Sequence, residues 1–233
     1  MHITWLGHSS FELKLPTGEV ILCDPWLTGN PSYPAGHRLT RCDAILISHA
    51  HGDHVGSSVA IAAEFPQAKV VAMYELAVHL EKKGVKNTIG MNKGGTCDLG
   101  FAQVSMTHAM HSSSFEDEGA GRVYGGESAG FAVHAAGKKL YFAGDTCVFG
   151  DMRIIADLYG PLDAALLPIG DLYTMGPREA AYATRLLRPK LVIPMHWGTF
   201  PVLTGTPAAL AAELKDLPGT AVAHLQPGES VNL

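Results

Sequence analysis

Long apolar runs are missing from this 233-residue chain, and none approaches the ~20 consecutive residues that a membrane span requires. The N-terminus, MHITWLGHSSFELKL, has no basic stretch followed by an apolar core, so no secretory leader is expected. Basic residues are scarce too. Lys and Arg total 17 against 22 Asp and Glu, the formal charge is -5, and no Lys/Arg block occurs. That is a poor footing for binding nucleic acid by charge. The four cysteines, Cys23, Cys42, Cys97 and Cys147, stand far apart with no C-x-x-C pair. This argues against a zinc ribbon or a dense disulfide framework and makes a reducing cytoplasm the expected compartment. No Pro- or Ser-rich linker divides the chain, so one domain over residues 1–233 is expected.

Glycine, at 26, and histidine, at 12, are the residues in excess. The apolar share of 47% is that of a globular protein, and the glycines suit the tight turns of a strand-rich fold. Short apolar runs bounded by turn residues recur throughout. Ile3 to Leu6, Phe11 to Leu15 and Val20 to Cys23 read as an opening antiparallel meander. Ala44 to Ile47 reads as a strand covered on both faces, followed by helices over Ser57 to Glu64 and Tyr74 to Lys82 with a short strand, Val70 to Ala72, between them. Further strands are expected at Phe101 to Thr107, Ala129 to His134, Leu140 to Phe142, Ala164 to Leu167 and Leu191 to Ile193. Further helices are expected at Met152 to Leu158, from Pro177, and over Pro207 to Leu217. The pattern predicts an α+β fold of two sheets packed face to face with helices outside. Ser112 to Gly126, polar and Gly-rich, reads as one long irregular loop.

The strongest chemical signal is His49-Ala50-His51-Gly52-Asp53-His54, directly after the strand Ala44 to Ser48. Residues two apart in an extended segment point the same way, so His49 and His51 can grip one cation. After the turn at Gly52, Asp53 and His54 project from a helix start and can serve a second. Imidazole with carboxylate suits a borderline divalent metal such as zinc. Further candidates lie just past later strands: His108 and His111, Asp145, and His196. Spacing alone does not choose between His108 and His111.

The order H-x-H-x-D-H, then His, then G-D-T, then a late His resembles the metallo-β-lactamase superfamily of hydrolases. Asp24-Pro25-Trp26-Leu27-Thr28-Gly29-Asn30-Pro31, Met110-His111-Ser112-Ser113-Ser114, Leu167-Pro168-Ile169-Gly170-Asp171 and Pro194-Met195-His196 resemble a bacterial branch of metal-dependent hydrolases. That branch is similar to the ascorbate-6-phosphate lactonases. The resemblance implies an αβ/βα sandwich of two mixed sheets with a dinuclear site at one edge. It assigns His49, His51 and His111 to one metal and Asp53, His54 and His196 to the other, with Asp145 bridging. It selects His111 over His108, whose place in the alternation of Val104 and Met106 then suggests a core histidine or one supporting the ligands. Asp24 is implied as a partner of the metal loop or is a turn residue before Pro25. His8 and Asp171 either face the site or belong to ordinary turns. Trp197, Thr199 and Phe200, which flank His196, could form a pocket wall or simply pack, and Cys147 reads as a buried apolar cysteine.

The expected cofactors are two divalent ions, zinc first, with Mn2+, Fe2+ or Ni2+ as alternatives set by supply. Coordination to such a cation lowers the pKa of water to about 7. The resulting bridging hydroxide, oriented by Asp53 as the catalytic residue, would attack a carbonyl or phosphoryl centre. Two such cations outweigh Asp53, Asp145 and the hydroxide, which favours a small anionic ester, lactone or thioester. A nuclease or phosphodiesterase and a non-catalytic metal-binding module are the competing readings. Oxidoreductase relatives replace the second motif histidine with a carboxylate, whereas His51 is kept here. The expected partner is a small-molecule substrate and, at most, a second copy in a homo-oligomer, with neither nucleic acid nor membrane.

Overall fold

The chain is described from a computed structural model that covers residues 1–117 and 119–233. The first sheet opens with β1 (His2–Trp5), β2 (Phe11–Lys14) and β3 (Val20–Cys23), the antiparallel meander expected from their turns. It continues in parallel through β4 (Ala44–Leu46), β5 (Lys69–Met73) and β6 (Thr88–Met91). Between these strands lie α1 (Gly52–Val55), α2 (Ser58–Glu64) and α3 (Tyr74–Lys82).

The second sheet contains β7 (Thr96–Asp98), β8 (Ala102–His108), β11 (Ala129–Ala135), β12 (Lys138–Phe142), β13 (Ala164–Pro168), β14 (Leu191–Met195) and β15 (Ala221–Val222). Helices α4 (Met152–Tyr159), α5 (Pro177–Leu187) and α6 (Pro207–Glu213) alternate with its parallel strands. The last strand, β16 (Ser230–Asn232), returns to pair with β1 in the first sheet. Both proline-led helices begin where expected, since a first-turn proline loses no intrahelical bond. Helix α6 is shorter than expected, ending at Glu213.

Burial shows why the apolar runs were continuous. All four residues of β3 are buried: Ile21 and Cys23 face the core between the sheets, while Val20 and Leu22 face the layer formed with Ile61, Leu76 and Leu80 of α2 and α3. A strand covered on both faces has no polar side to alternate with. The two sheets meet directly, as the edge-to-face contact of Phe11 with Phe142 shows at 6.4 Å between ring centres.

One expectation is overturned. Apart from residue 118, which lies outside the described residues, the stretch Ser112 to Gly126 is not one irregular loop but carries the hairpin β9 (Ser114–Asp117) and β10 (Gly121–Tyr124), paired in register from Ser114 opposite Tyr124 to Asp117 opposite Gly121. None of its residues is fully buried, so the hairpin lacks the alternation that would have announced it.

Candidate metal centre

The site forms where strands of both sheets end. Asp24 follows β3, His49 follows β4, His111 lies beyond β8, Asp145 beyond β12 and His196 directly after β14. The carboxyl ends of parallel strands are where such sheets present ligand-binding groups. At this edge the backbone N–H of Ala129 donates to the carbonyl of Ser48 at 2.9 Å, joining the two sheets beside the histidine motif. Gly144, at φ +59°, makes the approach possible, since a Cβ there would lie 2.5 Å from that of Ser48. The hydroxyl of Ser128 accepts from the N–H of His111 at 3.0 Å and so fixes the loop after β8. His8, Asp24 and His196 have left-handed backbones, at φ 54°, 41° and 54°. Such conformations are uncommon outside glycine and tend to cluster at functional sites.

The side chains converge in two groups that could each hold a cation, and Asp24 forms a third set with His49 and His54. His49, His51 and His111 bring their donor atoms within 4.8 Å of one another, as do His8, Asp53, His54 and His196. His49 Nε2 and His51 Nδ1 face each other at 2.9 Å. Asp145 lies between the groups, its Oδ2 being 3.0 Å from His196 Nε2, 3.2 Å from His54 Nε2 and 3.7 Å from His111 Nε2.

A carboxylate behind the histidines sets their orientation. Asp24 is wholly buried. Its Oδ1 accepts from the N–H of Ser48 at 2.7 Å, and its Oδ2 accepts from the Ser48 hydroxyl at 2.5 Å and from His54 Nδ1 at 2.6 Å. Having given its own proton to Asp24, the Ser48 hydroxyl accepts from His49 Nδ1 at 3.0 Å. Asp24 thus places a proton on Nδ1 of both His49 and His54 and leaves both Nε2 lone pairs facing the cluster. His8 acts similarly on Asp53: its Nε2 donates to Asp53 Oδ2 at 3.0 Å while its Nδ1 accepts from the Thr199 hydroxyl at 3.0 Å.

These groups fit divalent cations. Burial keeps His49 neutral, its protonation held well below the ordinary range, and it lowers His51 and His111 as well. Neutral imidazole is the form that ligates metal. Burial opposes charge on Asp145 and Asp53, yet the histidines around them overcome it, so both stay ionised far below the usual carboxylate range. Burial also opposes a proton on His54, but Asp145, Asp53 and Asp24 raise its affinity well above normal. Three carboxylates thus create a demand for positive charge at this point. Among the described residues His54 Nε2, Asp145 Oδ1 and His196 Nδ1 are buried without a hydrogen-bond partner. Unpaired polar atoms buried together call for a missing occupant.

Comparison with known proteins agrees with this geometry. The profile of the beta-lactamase superfamily domain matches residues 19–197. A "UPF0173 metal-dependent hydrolase" of Solibacter usitatus is 52% identical over 99% of this chain and 99% of its own. The chain belongs to the beta-lactamase superfamily. A metallo hydrolase from the archaeon Ignicoccus hospitalis superposes with a TM-score of 0.86 at 35% identity, covering 99% of this chain and 97% of that one. The superfamily fold also supports other chemistry. A diiron beta-hydroxylase of Streptomyces venezuelae has a TM-score of 0.77 at 17% identity, over 100% of this chain and 54% of that one, a likeness of fold alone.

The remaining sequence candidates separate clearly within this superfamily fold. His8, one of two open readings, is buried against Asp53, and its ring lies 4.1 Å from that of His196. His108 is not a core residue: it is exposed at the end of β8, where Lys93 Nζ lies 3.0 Å from its Nδ1. Asp171 is exposed and caps its own turn, accepting from the N–H of Leu172 at 2.7 Å. Trp197 is half-buried and packs on the core, stacked on Trp5 with 5.2 Å between ring centres. Cys147 is exposed and not buried, contrary to the sequence reading. Ser48 was missed, since a serine before the motif has nothing in its local pattern to mark it, and Thr199, noted in the sequence only as a possible pocket wall, instead hydrogen-bonds His8.

Proposed function

We propose that this protein is a hydrolase that depends on two divalent metal ions, zinc foremost, and cleaves a small ester, lactone or thioester. His49, His51 and His111 would hold one ion and Asp53, His54 and His196 the other, with Asp145 shared. The observation that carries this reading is the position of Asp145, whose single oxygen lies within 3.7 Å of one imidazole from the first group and two from the second. When bound, such cations polarise a carbonyl and make hydroxide available from water near neutral pH.

The protein's own groups account for the rest. Asp53 is the one carboxylate of the cluster open to solvent, with 31% of its side chain exposed against 0% for Asp24 and 3% for Asp145. It is therefore the group placed to receive and orient incoming water. His8 fixes its rotamer through Oδ2, leaving Oδ1 for that task. In the reaction the water oxygen forms the new bond to the carbonyl carbon. The bond to the leaving oxygen or sulfur breaks, and one water proton leaves with the alcohol or thiol. Two cations against Asp53 and Asp145 leave a positive site, which supports a substrate with negative or strongly polarised character.

The test is elemental analysis of protein purified without chelators, with turnover measured on lactones, thioesters, carboxylic esters and phosphodiesters. Two metal equivalents and turnover of a carbonyl substrate are expected. A value below one after reconstitution would refute the dinuclear site, and turnover confined to phosphodiesters would replace the substrate class.

A further inference from the structure

Two clefts open beside the metal centre, and both are lined by the hairpin. The first, of about 570 Å³, includes His51 and Asp53 and runs beside α1, α2, α3 and the hairpin. The second, of about 640 Å³, includes His111 and carries Lys93, His108, Glu127 and the three serines 112–114. They differ in chemistry. Val55, Val59, Leu76, Leu80 and Phe115 line the first.

We propose that the first cleft holds the apolar acyl arm of the substrate, so that the preferred substrates are esters or thioesters of straight-chain acids of medium length. The chemistry to be performed is taken from the proposed hydrolase reading, while the place of the arm is argued from the cleft itself. Its volume falls within the ~300–1,000 Å³ of small-ligand sites, whose walls are mostly apolar with a few polar groups at one point. His51 and Asp53 are the polar groups the cleft shares with the metal centre, while His79, Lys83, Ser114, Glu116 and Arg122 also line it, so a carbonyl held beside the first two directs its acyl chain between Val59 and Phe115. The wall is a built one. Phe115 stacks on His79 of α3 with 3.6 Å between ring centres, tying the hairpin to the helix. At the hairpin's base Gly125 lies so near Ala50 that a Cβ would come within 2.2 Å of the Ala50 methyl. Of the two cations lining the cleft, Arg122 is paired with Glu116, Nη2 to Oε1 at 2.7 Å, and Lys83 is the other.

The test is calorimetric titration of the metal-loaded protein with acetate, butanoate, hexanoate and octanoate, the acids that ester cleavage would release. Complete burial of a methylene tightens binding about fourfold. Each step of the series adds two methylenes, so affinity is expected to climb up to about 16-fold per step, with a negative heat-capacity change. Val59→Trp, a substitution at a half-buried helix position, should flatten the climb by filling the cleft. Phe115→Ala should weaken octanoate more than acetate. Equal affinity for all four acids would overturn the inference, as would a steep series that both variants leave intact. Nitrophenyl esters of the same acids, run in parallel, separate the two claims. A steep, Val59-dependent binding series without ester turnover refutes the hydrolase reading alone. Turnover of every ester with a flat binding series refutes the acyl cleft alone.

Discussion

Replacing Asp24 by Asn isolates the carboxylate that orients the histidines without altering any of the seven residues proposed to hold metal. Its two oxygens accept three hydrogen bonds, two from Ser48 and one from His54. An amide can accept only at its oxygen. With that oxygen kept toward the Ser48 N–H, the new amino group meets His54 Nδ1 and must donate to it. The His54 proton then moves to Nε2, the atom that faces Asp145 at 3.2 Å and would otherwise ligate. Loss of such an outer partner typically costs 10–100-fold in metal affinity, or about 1.4–2.7 kcal/mol. The effect should reach both ions, more strongly on the His54 side, because His49 is coupled to Asp24 only through the Ser48 hydroxyl.

Stability should change less. A lost hydrogen bond to a charged acceptor costs about 1.5–3 kcal/mol, offset in part because a buried carboxylate no longer has to be desolvated. Asn also tolerates the left-handed backbone at this position. Competition against a chromophoric chelator gives both metal affinities, and thermal melting of the metal-free protein gives the stability change. Wild-type affinity for both ions in a folded Asp24→Asn protein would refute the tautomer argument. A large loss of stability with affinity unchanged would make Asp24 a purely structural residue.

Asp53→Asn should leave a folded protein holding about one metal equivalent and at least ~10²-fold slower on any substrate the panel identifies, since it removes the exposed carboxylate. Undiminished turnover would place the chemistry elsewhere. His111→Ala should lose metal and activity together, whereas His108→Ala, altering an exposed strand end, should keep both ions. The reverse pattern would shift the ligand assignment by three residues. Burial pushes His8 down to about 4 from its ordinary 6.5. The unfolded chain therefore takes up more protons between these values, so this contribution to stability is present above pH 6.5 and lost as pH falls toward 4. Melting of the metal-free protein over that range should show a shallower pH slope in His8→Gln than in the wild type, and equal slopes would refute it.

The elements that were legible in the sequence are those buried on both sides or begun by a strong local signal. Ala44 to Leu46 is wholly buried and sits beside a motif dense enough to locate the site. The elements that were missed lie at edges. Strand β7 terminates its sheet and Thr96 and Asp98 are exposed, while β6 terminates the other sheet with one buried residue in four. An edge strand packs on one neighbour, so its apolar requirement is weak. His108 was misjudged for a related reason. In β8 the run Val104 to Thr107 is buried without alternation, so a period of two carried no information about the next position.

The supporting residues were illegible for a deeper reason: their roles are set by contacts made across the chain. His8 is held by the N–H of His196 donating to its carbonyl at 3.0 Å, a contact spanning most of the sequence. Its ring reaches Asp53 because the turn adopts a left-handed backbone, which histidine enters more readily than most residues but in only a small minority of cases, so the residue type does not announce it. Asp24 is the same case, since its pattern of Asp before Pro fits an ordinary turn equally well. Only after the sheet brings β3 beside β4 does that aspartate lie under Ser48, in reach of two imidazoles. A residue type followed by a strand end can nominate a ligand, because a ligand needs only to point at the edge. Nominating the partner that sets a ligand's tautomer requires the pairing register, which is a property of two segments and not of one.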